Sequence, residues 1–250
     1  DYAGQEVLAN GQGMGETSLG ALADKARVPA DWLIPVPAPL TARHAMAIGT
    51  AGYTAMLCVH ALEDRGLTPD SGPVLVTGAT GGVGTFAVML LAKKGFEVIA
   101  STGRASEEAH LKSLGATSII DRAELSEKGK PLGKEKWAGV VDSVGSHTLA
   151  NAIAQTKYGG CVAACGLAQG FDLPATVMPF ILRGVTLAGV DSVQAPRAKR
   201  LRAWEDLAKL ISPAEIDAVT EVRPMDQALA TAEGILSNTY KGRVVIDVRA

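Results

Sequence analysis

The sequence predicts an α/β fold built on a doubly wound parallel sheet, and three observations support this prediction. Short apolar runs of the kind that form buried strands recur through the middle of the chain and alternate with helical stretches. A glycine-rich turn joins the first of these strands to an apolar helix. Glycine is also abundant, at 28 of 250 residues, as expected for a chain with many tight turns.

The clearest unit lies between Pro73 and Arg104. The apolar run 74–76 has the length and β-branching of a buried parallel strand. It is followed by the segment 78–84, Gly-Ala-Thr-Gly-Gly-Val-Gly, and then by an apolar helical stretch that Gly95 ends. A second apolar run, 98–100, completes a strand, turn, helix and strand in that order.

The glycines of this turn have a mechanical explanation. Gly78 allows a tight turn, and Gly81 and Gly82 let a pyrophosphate approach the backbone without meeting a Cβ atom. Gly84 lets the helix lie close to the strand, while the helix N-terminus offers N–H groups to the phosphates. An ordinary glycine-rich turn is the alternative, but the position between strand and helix favours a dinucleotide site.

The end of the second strand indicates which dinucleotide binds. A site for NAD usually carries Asp or Glu there to hold the ribose 2′-hydroxyl. This chain has Ser101, Thr102, Gly103 and Arg104, and the first carboxylate is Glu107. Hydroxyls and a guanidinium suit a 2′-phosphate, so the sequence predicts NADP(H). The alternative is that Arg104 is a solvated loop charge.

Further predicted strands continue the alternation with helices. They are 118–120, 139–141, 160–164 and 185–190. Ligands of such sheets bind at the carboxyl ends of the strands, so the segments 142–145, 165–167 and 191–192 are candidates for contact with a cofactor. Gly166 would allow a nicotinamide to approach closely; the alternative is that these segments are ordinary loops.

The first 40 residues are predicted to contain a turn that enters a short strand over 1–8, a second short strand at 21–28 and a connector or edge strand at 32–37. Such short strands cannot form a stable sheet alone, and the sequence has no initiator Met. We therefore expect that a strand-rich portion precedes this chain in the complete protein or has been lost.

A helix is predicted over 41–65, interrupted at 49–53, where Thr50 and Thr54 could face a cofactor or cap a helix. Further on, Lys199, Arg200 and Arg202 form a basic cluster before an amphipathic helix. Such a cluster is usually a solvated face, although a phosphorylated substrate could use it.

Composition excludes several classes of function. The net charge of −2 predicts no general affinity for nucleic acid or an anionic membrane. The sequence shows no signal peptide and no uninterrupted apolar run that would span a bilayer, so the cytoplasm is the expected location. Three cysteines and four scattered histidines give neither a disulfide framework nor a metal motif, and no metal site is predicted.

Several longer motifs resemble one family. They are GATGGVG at 78–84, GTAGYTAMLCVHALE at 49–63, DSVG at 142–145, YGGCVAACGLA at 158–168, TVMPFILRGVTLAGVDSV at 176–193 and KGRVVIDV at 241–248. Together they resemble the medium-chain dehydrogenase/reductase superfamily, and within it the zinc-independent branch of acrylyl-CoA reductases that includes quinone oxidoreductase-like proteins. The resemblance covers essentially the whole chain.

The resemblance implies a Rossmann domain, over 46–195, inserted in a GroES-like catalytic domain formed by 1–45 and 196–250. It also implies a homodimer that uses NADPH to reduce acrylyl-CoA, or a similar short enoyl-CoA, to propionyl-CoA. The implied cofactor contacts are Thr80, Gly81, Gly82, Val83, Thr102, Arg104, Arg122, Leu167, Ser192 and Asn238.

One part of the family pattern has no counterpart in this sequence. The family's N-terminal portion, which carries a Tyr and an acidic residue near the substrate, is missing, so no catalytic proton donor can be named. Two alternatives therefore stay open: a quinone or enone oxidoreductase, and a non-catalytic NADPH-binding protein.

Overall fold

A computed structural model describes residues 2–237 and 239–250. Packing divides the chain into two compact units. One unit is residues 54–190, and the other combines the chain up to residue 53 with residues 191–250. The family resemblance predicts domain boundaries between residues 45 and 46 and between residues 195 and 196.

The described residues form strands and helices that we number in chain order. The strands are β1 (Val7–Leu8), β2 (Ile34–Pro35), β3 (Val74–Val76), β4 (Val98–Thr102), β5 (Ser118–Asp121), β6 (Trp137–Asp142), β7 (Thr156–Ala164), β8 (Thr186–Gly189), β9 (Thr220–Pro224) and β10 (Arg243–Asp247). The helices are α1 (Ala42–Glu63), α2 (Gly82–Lys93), α3 (Glu108–Ser113), α4 (Ala123–Ser126), α5 (Ser146–Ala154), α6 (Met178–Arg183), α7 (Arg197–Leu210), α8 (Pro213–Ala218) and α9 (Ala228–Leu236).

Residues 54–190 contain a six-stranded parallel sheet with the order β5-β4-β3-β6-β7-β8. The chain first builds outward from β3 to β5 and then returns to the other side of β3 to add β6, β7 and β8. Strand order therefore reverses between β3 and β6, where Val74 lies opposite Gly139. This topology confirms the predicted doubly wound α/β fold.

The central strands form the core of this unit. Every residue of β3 and β6 is buried. Trp137, at the start of β6, is fully enclosed, and its indole Nε1 donates a hydrogen bond to the carbonyl of Ala152 in α5 over 2.9 Å. A buried indole therefore keeps a hydrogen-bond partner while its ring fills the core.

One local prediction was wrong. The strand predicted at 21–28 is absent, and this segment is largely exposed, with Leu22 61% exposed. A strand needs a partner for its backbone, and this segment has none of the ladder pairing seen for the named strands. The polar segment 123–137 is mostly exposed, although it contains α4, whose Leu125 is buried.

The sequence analysis also missed β9. It pairs in parallel with β10 along its whole length, from Thr220 opposite Arg243 to Pro224 opposite Asp247. Its residues, Thr-Glu-Val-Arg-Pro, lack the apolar run by which the other strands were found.

Helix α1 is interrupted at Gly49, as the sequence predicted. Gly49 has φ 51° and ψ −157°, which are not helical values. The side chain of Arg243 stabilises the break, because its Nε donates to the carbonyl of Ala47 over 2.7 Å. A Cβ atom at Gly49 would lie 2.6 Å from the same guanidinium, so glycine is required there by both conformation and space.

By length and composition alone, α1 is also apolar enough to cross a membrane. In this fold, however, 78% of its most apolar window is buried. Burial within the protein therefore accounts for its composition.

The predicted basic cluster does not form one solvated face. Lys199 is exposed, but Arg200 is only 2% exposed. The Arg200 guanidinium donates to three main-chain carbonyls at 2.7–3.0 Å, those of Asn10, Val193 and Ala195.

In the part of the chain that the structure describes, the hydrogen bonds of the Arg200 guanidinium go to carbonyl oxygens and none goes to a carboxylate. Its guanidinium carbon lies 5.4 Å from the centre of the Tyr53 ring, which stacks on Trp204 at 6.2 Å. Carbonyl dipoles and an aromatic face together replace the hydration that Arg200 loses. Arg200 is therefore a structural cation that connects the chain near residue 10 to the segment 192–195.

Replacement of Arg200 by Ala should strongly destabilise the fold. The change leaves several buried carbonyls without a donor, so the free energy of unfolding should fall by about 2–4 kcal/mol. Urea titration measures this loss, with Lys199→Ala, an exposed cation one residue earlier, as the control. Equal unfolding midpoints for the two variants would contradict the structural role of Arg200.

Candidate cofactor site

The glycine turn between β3 and α2 has the geometry that its sequence predicts. Gly78 has φ +60°, the left-handed conformation that glycine adopts at little cost. A Cβ atom at Gly84 would lie 2.3 Å from the carbonyl oxygen of Gly78 and 2.5 Å from Cα of Ala79. The start of α2 therefore lies directly against the turn, and any side chain at position 84 would force the backbones apart.

The turn leaves the N-terminus of α2 open to a ligand. Gly81 precedes the helix and is exposed, and no side chain caps the helix N-terminus. Gly82 and Val83, the first two helical residues, are half-buried. Uncapped N–H groups and the positive end of the helix dipole are suited to an anion such as a pyrophosphate.

Four of the predicted contact residues come together where β3, β4 and β5 end: Thr80 in the glycine turn after β3, and Thr102, Arg104 and Arg122 at the ends of β4 and β5. Thr80 and Thr102 share a hydrogen bond between their hydroxyl oxygens at 3.4 Å. The backbone N–H of Arg104 donates to Oγ1 of Thr102 over 3.1 Å, and that of Arg122 donates to the Thr102 carbonyl over 3.0 Å. Thr102 thus organises two hydroxyls and the starting points of two cationic side chains.

The chemistry of this cluster favours a phosphate. Arg104 is half-buried and Arg122 is exposed, so the Arg122 guanidinium is open to solvent at the end of β5. Guanidinium groups bind phosphate oxygens through paired hydrogen bonds, and a threonine hydroxyl can donate one more. The residues that follow β4 and β5 therefore fit the 2′-phosphate of NADP(H).

A buried carboxylate connects the loops at the point where strand order reverses. Asp142, the last residue of β6, accepts a hydrogen bond from Oγ1 of Thr77 at 2.7 Å and from the N–H of Gly145 at 2.8 Å. Ser143 returns a bond from its hydroxyl to the Thr77 carbonyl at 3.2 Å. Thr77 immediately precedes Gly78, so this network fixes the glycine turn to the loop after β6.

Burial raises the pKa of the Asp142 carboxyl, while hydrogen bonds from Thr77, Gly145 and Val144 act in the opposite direction. Segment 142–145 was predicted from the sequence as a candidate for contact with the cofactor, whereas Thr77 was not. The sequence did contain a signal for Thr77, which lies directly before the first glycine of the turn. Because β3 and β6 are parallel neighbours, the residues at their carboxyl ends lie at the same edge of the sheet.

Gly166 has a packing role that the sequence did not reveal. A Cβ atom there would lie 2.5 Å from the carbonyl oxygen of Ser143, so glycine is needed for the loops after β6 and β7 to lie together. Leu167, the next residue, is 64% exposed. Its contact with a cofactor stays a prediction.

The two remaining predicted contacts lie elsewhere in the chain. Ser192 belongs to the other unit, where its carbonyl accepts a hydrogen bond from Arg200 over 3.2 Å. Asn238 lies outside the residues that the structure describes. Both assignments stay predictions.

The cysteines are placed as packing residues. Cys58 and Cys161 are buried, and burial raises the pKa of the Cys161 thiol to about 11. A hydrogen bond with Cys165, with burial as the second cause, raises the pKa of Cys58 as well. Over 2–237 and 239–250, no three His, Cys, Asp or Glu side chains converge in an arrangement that could hold a metal ion.

Asp142→Asn tests the balance between burial and hydrogen bonding at the switch point. Because the pKa of Asp142 is raised by folding, the folded chain holds this proton more tightly than the unfolded chain does. Wild-type stability should therefore fall relative to Asp142→Asn as pH rises from about 4 through the raised pKa. Urea titrations at successive pH values measure the difference.

Asp70→Asn, which removes an exposed carboxylate, controls for the change in net charge. If the wild type instead gains stability relative to Asp142→Asn as pH rises, hydrogen bonding outweighs burial and the direction assigned to this pKa is wrong.

Comparison with known proteins places the chain in a family. A family model of zinc-binding dehydrogenases matches residues 82–212. The probable acrylyl-CoA reductase AcuI of Escherichia coli is 51% identical over 247 residues, which are 99% of this chain and 76% of that protein. The putative quinone oxidoreductase YhfP of Bacillus subtilis is 44% identical over 97% of this chain and 74% of that protein.

Solved structures agree with these relatives. The crystal structure of Escherichia coli K-12 YhdH with bound NADPH is 52% identical and has a TM-score of 0.96, over 98% of this chain and 76% of that one. The structure of Bacillus subtilis YhfP, with NAD bound, has a TM-score of 0.94 over 98% of this chain and 75% of that one. The chain belongs to the medium-chain dehydrogenase/reductase superfamily, in the zinc-independent branch that contains the acrylyl-CoA reductases and their quinone oxidoreductase-like relatives.

Proposed function

We propose that this chain is an NADPH-dependent oxidoreductase that reduces the C=C bond of acrylyl-CoA, or of a similar short 2-enoyl-CoA, to give propionyl-CoA or its homologue. The observation that carries the proposal is 51% identity to an acrylyl-CoA reductase across 99% of the chain. The glycine turn and the cationic end of the β4–β5 edge support it, because they fit the pyrophosphate and the 2′-phosphate of NADPH.

The cofactor is assigned to the residues at the carboxyl edge of the sheet. Gly81, Gly82 and Val83 would hold the pyrophosphate at the start of α2, and Thr80 and Thr102 would donate from their hydroxyls. The 2′-phosphate goes to Arg104 and Arg122. NAD in the YhfP structure argues for a looser choice of cofactor within the family, whereas the two guanidiniums of this chain favour NADPH.

Leu167, Ser192 and Asn238 complete the proposed cofactor contacts, and here the resemblance to the family is the support. Their role is to bind and orient the nicotinamide end.

The chemistry divides between cofactor and protein. When bound, NADPH supplies a hydride, which adds to the β-carbon of the enoyl thioester. Negative charge then develops on the thioester carbonyl oxygen, and hydrogen-bond donors would stabilise it before a proton reaches the α-carbon. No residue of this chain is assigned as the proton donor, and the residues named above act by binding and orientation.

We further propose that the protein is a cytoplasmic homodimer. Apolar side chains are exposed along the segment that leads to β8, including Phe171 at 93% and Ile181 at 72%. Strand β8 is the last strand in the order of the sheet that the structure describes, so its outer edge offers backbone groups for pairing, and exposed apolar side chains favour association. A second copy of the chain is the proposed partner for this surface.

A quinone or enone oxidoreductase is the second candidate, because YhfP is described as a putative quinone oxidoreductase. Both activities oxidise NADPH, so its absorbance reports either one. Acrylyl-CoA, crotonyl-CoA and a benzoquinone should be offered in parallel. We expect the highest kcat/KM for acrylyl-CoA, and turnover of the quinone without turnover of either thioester would overturn the proposal.

Removal of the Arg104 guanidinium should change the choice of cofactor. Arg104→Ala should weaken NADPH binding by about tenfold and leave NADH within about twofold, because only NADPH carries the 2′-phosphate. Fluorescence titration with each nucleotide measures both dissociation constants. Lys112→Ala, an exposed cation on α3, is the control. Equal losses for NADPH and NADH would exclude the proposed contact.

A further inference from the structure

Gly103, between Thr102 and Arg104, lies directly against the side chain of Arg122. A Cβ atom at Gly103 would lie 2.5 Å from Nε of Arg122, 2.7 Å from its Cδ and 2.9 Å from its Cζ. Real Cβ atoms do not approach other heavy atoms this closely. The guanidinium end of Arg122 therefore occupies the space that any side chain at position 103 would need.

Neither backbone conformation nor the packing of the fold explains this glycine. Gly103 does not take the left-handed φ values at which glycine is favoured. The three heavy atoms nearest to the position of its absent Cβ all belong to one flexible side chain, that of Arg122, and not to backbone. An alanine could thus be accommodated by moving Arg122 alone, so the consequence of the glycine is the position of that guanidinium.

The backbone of Arg122 is held in place, whereas its long side chain can adopt different conformations. Its backbone N–H is bonded to the Thr102 carbonyl at 3.0 Å, and Thr102 is the register partner of Asp121. The Asp121 carboxylate accepts a bond from the N–H of Ala123 over 2.8 Å, so it turns toward α4. The bare Cα of Gly103 then provides the surface on which the Arg122 guanidinium lies, one residue from Arg104.

We propose that Gly103 is a specificity-determining residue for NADPH over NADH. By leaving room for Arg122 beside Arg104, it lets two guanidiniums bind one 2′-phosphate, a group that carries a charge of about −1.5 to −2 near neutral pH. The inference rests on the proposed function, because it requires the 2′-phosphate to bind at the ends of β4 and β5.

Gly103→Ala is the direct test, with both nucleotides titrated by fluorescence against the full chain. We expect the NADPH dissociation constant to rise about tenfold, the NADH constant to stay within about twofold and the urea unfolding midpoint to stay unchanged. Gly133→Ala is a matched control, since its Cβ would displace another flexible side chain, that of Gln155, before the start of β6. It should alter neither nucleotide affinity.

A double-mutant cycle with Arg122→Ala identifies the route of the effect. If Gly103→Ala acts by displacing Arg122, it should add nothing in the Arg122→Ala background. An equal additional loss in both backgrounds, or unchanged NADPH preference in Gly103→Ala, would overturn the inference while the proposed function stands. A wild-type chain with no preference for NADPH would overturn the cofactor assignment and this inference together.

Discussion

The hydrogen bond between Thr77 and the buried carboxylate of Asp142 is the interaction on which the site most depends. It joins the strand that enters the glycine turn to the adjacent strand where the sheet reverses its order. Because Asp142 also accepts from the N–H of Gly145, the two loops that border a ligand crevice share one acceptor. Those donors offset part of the cost of burying this carboxylate, and they do so only while they stay in place, so the loops are fixed as a pair.

The ends of β4 and β5 serve a different purpose. There the backbone and hydroxyl of Thr102 place Arg104, which is half-buried, and Arg122, which is exposed. A rigid backbone that carries partly solvated cationic side chains suits recognition of a phosphate. The backbone sets the binding geometry in advance, and the side chains keep part of their hydration until the phosphate binds. In the proposed cofactor site, a rigid turn would hold the pyrophosphate and an adaptable pair of side chains would bind the 2′-phosphate.

The sequence predicted the local parts of this arrangement well, because strand, turn and helix from residue 73 to residue 104 are encoded by adjacent residues. It did not predict the Thr77–Asp142 bond, whose partners are 65 residues apart, or the burial of Arg200. A run of cationic residues is interpreted as solvent-exposed when the residues that it contacts in the fold are unknown. The hydrogen-bond partners of Arg200 are main-chain carbonyls, which every residue has and which the sequence therefore does not reveal. The absent strand at 21–28 and the missed β9 have the same origin, since strands depend on pairing partners as well as composition.

The two buried thiols have a consequence for the substrate proposed here. An unsaturated thioester such as acrylyl-CoA is a Michael acceptor, and thiolates are the side chains that it alkylates most readily. With a pKa of about 11, only about one Cys161 side chain in ten thousand is ionised at pH 7. Cys58 is protected in the same way, so a protein that handles this electrophile would be spared modification by its own substrate at both positions.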